Sequence, residues 1–295
     1  MHFYEKKREK MTKRDNFLRA LDGAAVYMGV LIIAGLTAII GYRFLGLWAL
    51  YASEMLALAL AFGVALKTGL KSSAWLKFKS GGVRYAVGGS LVFGGALLCA
   101  IPVLLFVQVI VPDFAVSSLH ITDALEGHSA KYLHIILLII ISGVSECLIF
   151  EGYIYARLKG VAGFPKVALM IAGAYALYQL DLYTLIPLFV VELAILYVRK
   201  KTLSLVLPCV LHIISATLTL AVRDYATDSS QLLGTQMGAL QVIGLAILFA
   251  GAALPVLAVG ARLMGDLKNR SMLQKGLLVL FSLVLIASGY AISRI

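Results

Sequence analysis

The sequence predicts an all-α polytopic membrane protein, a helical bundle of about nine transmembrane spans. Three observations carry this. Hydrophobic residues make up 61% of the chain and charged residues 14%, with a mean hydropathy of +0.94. A soluble domain carries about a quarter charged residues. Apolar runs of bilayer-crossing length recur along nearly the whole chain, and the basic residues gather between alternate pairs of them.

Taken in order, residues 1–21 form a basic cytoplasmic arm. The apolar run behind it is too long for a signal-peptide core and lacks a small-residue cleavage site, which makes it a retained first span. Residues 22–295 are then a single transmembrane helical domain, with spans expected at 22–42, 47–66, 83–111, 133–156, 166–180, 183–198, 202–222, 237–261 and 275–293. The loop 67–82 mixes Trp75, Leu76 and Phe78 with Lys71, Lys77 and Lys79, a composition that suits the headgroup layer. In the third span, Gly88-Gly89 and Gly94-Gly95 read as packing devices, with Ser90 and Gly94 at small-xxx-small spacing. Pro102 is a candidate kink. Residues 112–132 make the one sizeable outer loop, with Asp113, Asp123, Glu126 and His128. The fifth span is short and leads into Asp181 and Pro187, as a tilted or partial crossing would. The last two spans hold no ionisable residue in their cores and serve packing or lipid contact. No internal repeat is visible, which disfavours a transporter built from inverted halves.

The formal charge of +11 is explained by its placement. With the N-terminus inside, only four of the 26 Lys and Arg lie outside: Arg43, Lys131, Arg223 and Arg294. This positive-inside bias sets the orientation, and the expected location is the plasma (cytoplasmic) membrane with a cytoplasmic N-terminus. The basic rim meets anionic lipid headgroups, so membrane lipids, not nucleic acid, are the expected partners. Cys99, Cys147 and Cys209 all fall inside spans, which gives no disulfide framework and reads as small buried hydrophobes.

The span at 133–156 carries two carboxylates, Glu146 and Glu151. A charge in hydrocarbon costs about 2.5–3.5 kcal/mol on insertion scales, so such residues face a protein interior or a wet cavity. Glu146 lies 11 residues before Arg157, and His212 lies 11 residues after Lys201. At the helix rise both sit about 16 Å in from the inner surface, near the midplane. Glu151 and Glu192 share a shallower level, about 10 Å in. A deep carboxylate–imidazole layer and a shallow carboxylate pair are therefore expected, with Glu146 and His212 on the order of 5 Å apart. Such a pair suits a general base with an oxyanion-binding or proton-shuttling histidine, and equally a hydrogen bond that locks two helices. A Cys147–His212 dyad lacks the cationic neighbour that a thiolate needs. No metal or cofactor is expected, since two candidate ligands without His-rich or Cys-rich spacing are too few for zinc.

Three segments resemble the motifs of the CPBP family, the CAAX-prenyl endopeptidase and bacteriocin-processing (abortive-infection-like) intramembrane proteases. The first is Glu146-Cys147-Leu148-Ile149-Phe150-Glu151-Gly152, against a pattern such as E-E-x-x-F-R-G. The second is Tyr175-Ala176-Leu177-Tyr178-Gln179, and the third His212-Ile213-Ile214-Ser215-Ala216. The likeness covers about 133–220 and implies a CPBP-like core, with Glu146 and His212 at the catalytic positions. Four positions depart from the pattern. Cys147 stands for the second glutamate, Glu151 for the arginine, Gln179 for the middle histidine and Ala216 for the final asparagine. Losing one such group costs about a hundredfold or more in rate.

The resemblance thus implies a degenerate member, a pseudoprotease that binds a hydrophobic peptide, a membrane-protein segment or a lipid-like chain. Cys147, Glu151, Tyr175, Gln179, Glu192 and Ala216 would line its binding site. The alternatives are an active endopeptidase using Glu146 and His212, and a proton-coupled carrier using the buried acids and His212 as a relay.

Overall fold

The computed structural model describes residues 2–46, 48–78, 82–110, 131–179, 184–229, 239–266 and 272–294. They form ten α-helices: α1 (His2–Leu36), α2 (Trp48–Lys67), the short α3 (Ser72–Trp75), α4 (Val83–Ile110), α5 (Lys131–Cys147), α6 (Phe164–Tyr178), α7 (Leu185–Thr202), α8 (Val206–Ser229), α9 (Ala239–Leu263) and α10 (Met272–Ser293). A π-helical turn (Thr37–Gly41) and a last turn (Tyr42–Leu45) extend α1. A longer π-helical stretch (Leu148–Ile154) and a final turn (Tyr155–Leu158) extend α5. No strand occurs among the described residues.

Among the described residues, the nine expected apolar segments are largely helical, but they are not equivalent. Six stretches are long and apolar enough to cross a membrane: Arg14–Gly41, Trp48–Lys67, Val83–Leu104, Tyr132–Leu158, Leu240–Leu263 and Gly276–Ser293. The apolar parts of α6 and α8 are shorter, and α7 carries Glu192, Arg199, Lys200 and Lys201. Those three helices are the ones packed around the buried acids. Large apolar side chains such as Ile39, Phe44 and Leu66 cover the outside, as an integral membrane protein requires.

Several expectations change. α1 runs without interruption through the expected boundary after residue 21. The outer loop with Asp113, Asp123, Glu126 and His128 lies outside the described residues except for its last two positions, and Asp181 lies outside them as well. Trp75 turns into the protein core and not out toward lipid headgroups. It is 1% exposed and packs edge-on against Phe62 and Tyr153, with ring centroids 4.8 and 5.8 Å away. The turn of α3 tucks the indole over Gly152, and Leu205 N–H donates to the Lys77 carbonyl at 2.7 Å, tying this loop to the start of α8. The loop caps one end of the core.

The glycine reading also shifts. Gly94 has open space beside it and Ser90 is exposed, so that pair packs nothing. Gly88 and Gly95 do the work against α9: a Cβ on Gly88 would stand 2.9 Å from Met264, and one on Gly95 2.6 Å from Leu257. α4 stays helical through Pro102. For the site, the decisive glycine is Gly143. A Cβ there would come within 2.8 Å of the Ile213 backbone, so α5 and α8 touch backbone to backbone beside Glu146 and His212.

Candidate functional site

Glu146 is the best-satisfied of the buried acids. Ser142 lies one helical turn before it on the same face and donates to Oε1 at 3.0 Å. On α6, Tyr175 and Gln179 also stand four residues apart on one face. The Tyr175 hydroxyl donates to Oε2 and the Gln179 amide to Oε1, both at 2.9 Å. Tyr175 is held by Phe150, with ring centroids 5.3 Å apart. His212 Nδ1 approaches Glu146 Oε2 at 3.6 Å from α8.

His212 is fully buried and joins the rest. Its Nε2 stands 2.9 Å from Glu151 Oε2 and 3.4 Å from Glu192 Oε2. Tyr175 packs edge-on to the imidazole at 5.2 Å. The two expected layers are therefore one cluster, for two reasons. Every Cα–Cβ bond tilts toward its helix N-terminus. In the orientation read from the charges, that moves the Glu151 and Glu192 carboxylates deeper and the His212 ring shallower. The π-helical stretch acts in the same direction. Tyr155 N–H reaches back five residues to the Phe150 carbonyl, and in such a turn residues five apart come onto one side. Glu146 and Glu151, five apart, both face His212.

Residues 128–218 match the family model described as Type II CAAX prenyl endopeptidase Rce1-like. That segment of the chain is similar to the Rce1-like endopeptidases of the CPBP family. No curated protein and no solved structure matches the chain.

The matched segment runs from α5 into α8 and holds all the site residues read from the sequence. Cys147 packs against Cys209, one turn before His212. Its sulfur lies 2.7 Å from Cys209 Sγ and 3.8 Å from the Leu205 carbonyl, which removes the Cys147–His212 dyad. Arg199, 4% exposed, donates from Nε to the Glu151 carbonyl at 3.2 Å and lies over the Tyr155 ring. The turn into α8 brings His212 back against Glu192, and it uses Leu203 in the left-handed region at φ 53°. Ala216 is half-buried one turn beyond His212 and brings no polar group.

Sequence reasoning missed Glu54 on α2. The Tyr178 hydroxyl donates to its Oε1 at 3.3 Å and Ser145 donates to Oε2, while the Ser142 hydroxyl, whose one proton goes to Glu146, stands 3.4 Å from Oε1. Through Ser145, the matched segment shares its polar interior with α2. The signal was present: Glu54 is the one acid in an otherwise apolar α2 and meets the same criterion that marked Glu146.

Proposed function

We propose that this integral membrane, CAAX-protease-like protein is a non-catalytic member of its kind, a receptor for a hydrophobic peptide or membrane-protein segment. One observation carries the reading: protein donors already take three of the roughly four acceptor sites of the Glu146 carboxylate. Oε1 accepts from Ser142 and Gln179, and Oε2 accepts from Tyr175. A general base must hold its proton-donating water at about 2.6–3.2 Å, and here protein donors leave a single acceptor direction, on Oε2, for one. The substitutions agree with this. Gln179 cannot carry a proton at neutral pH. Cys147 pairs with Cys209, and Glu151 spends its carboxylate on His212.

The runner-up is an endopeptidase, favoured by the 3.6 Å approach of His212 Nδ1 to Glu146. A farnesylated CAAX peptide bearing a photo-crosslinker separates the two. Capture of the intact peptide, competed by unlabelled peptide, is the expected result. Release of a cleaved product would favour the endopeptidase, and no capture would end the receptor reading.

A further inference from the structure

We propose that Glu151, Glu192 and His212 form a binding site for a divalent first-row transition metal of the zinc type. The three residues come from the π-helical extension of α5, from α7 and from α8, and all are fully buried. One ligand atom of each lies within 4.8 Å of the other two. From His212 Nε2 the separations are 2.9 Å to Glu151 Oε2 and 3.4 Å to Glu192 Oε2. A metal with bonds of about 2.0–2.2 Å in a tetrahedral field sets its ligands roughly 3.3–3.6 Å apart. Bringing the three separations to that spacing would seat one between them.

A second, independent observation points to a missing partner. Neither oxygen of Glu192 has a hydrogen-bond donor, and Glu151 Oε1 has none either. Buried carboxylate oxygens are ordinarily satisfied, and each orphan is costly. Two carboxylates on one imidazole need a counter-charge, supplied by a proton or by a cation. Glu146 does not compete for the cation, because its oxygens are engaged by Ser142, Tyr175 and Gln179.

The chemical class follows from the donors. An imidazole with two carboxylates suits zinc and its first-row neighbours better than calcium or magnesium, which take oxygen ligands alone. Three protein ligands would leave a fourth position free. Two of the ligands, Glu151 and Glu192, are outside the CPBP motif as this chain matches it, Glu151 standing where the pattern has arginine. The site was invisible in the sequence because its donors lie on three helices, without the close spacing of zinc motifs.

The inference goes beyond the receptor reading and does not depend on it, because its readout is occupancy, not cleavage. The full chain, purified in detergent without a polyhistidine tag, is loaded with zinc, dialysed and measured by elemental mass spectrometry. Cobalt loading, read by visible d–d absorption, reports the ligand field directly. About one zinc per chain is expected in the wild type, with occupancy falling more than about tenfold in Glu192→Gln and Glu151→Gln. The cobalt bands should appear in the wild type and vanish in Glu192→Gln. A folded wild type without retained zinc or cobalt bands would overturn the proposal, showing that protons alone compensate the cluster. Occupancy unchanged in both variants would overturn it as well, placing the metal elsewhere. If the variants fail to fold, the wild-type cobalt spectrum decides alone.

Discussion

His212 Nε2 lies 2.9 Å from Glu151 Oε2, with both side chains fully buried. This contact replaces the arginine chemistry that the motif resemblance implies at position 151. An acid and an imidazole bind each other there, and the helices that carry them are held at a fixed distance.

That distance depends on Gly143, whose absent side chain lets the Ile213 backbone approach. Gly143→Ala should destabilise by about 1–3 kcal/mol, as overpacking does in close-packed interiors. Gly173 on α6 has nothing within 4 Å of a Cβ position. Gly173→Ala should therefore change stability by no more than about 1 kcal/mol. Thermal unfolding in detergent compares the two, and equal losses would contradict the α5–α8 contact.

The same pair of helices can be tested covalently. Cys147 and Cys209 sulfurs stand 2.7 Å apart, while Cys99 is on α4. Mild oxidation with copper phenanthroline should form one intramolecular Cys147–Cys209 disulfide and leave Cys99 free. Peptide mass mapping reads the outcome, and a crosslink involving Cys99 would contradict the packing.

At the end of α9, Asp266 accepts from the Lys201 ammonium and, at 2.6 Å, from the Tyr197 hydroxyl. These donors, Lys201 first, hold its carboxyl below the usual value of 3.8. A depressed folded value means stabilisation present above about pH 4, lost as pH falls through the folded value. The site is solvent-facing, so the effect is small. Asp266→Asn should lower the thermal midpoint slightly near pH 7, and the difference should shrink below about pH 4.

Much of this was legible in the sequence because bilayer physics makes it so. A carboxylate in an apolar run is costly, so Glu146, Glu151 and Glu192 stand out, and the motif order ties Glu146 to His212. The convergence of Glu151 and Glu192 on His212 was not legible. Depths counted along helix axes ignore the tilt of side chains and the π-helical turn. Trp75 was misplaced because its lysine neighbours suit the headgroup layer, while the burial comes from a four-residue helix that composition does not reveal. Gly143 looked like any other glycine, since its role depends on which helix lies beside it.

The central claim is that the Glu146–His212 cluster is built to hold rather than to hydrolyse. The most direct measurement is cleavage of a farnesylated CAAX reporter in lipid nanodiscs by the wild type, Glu146→Gln and His212→Ala. The account predicts no cleavage above the protein-free background for any of the three, with a lower thermal midpoint in both variants. Cleavage by the wild type that disappears in both variants while they remain folded would contradict it.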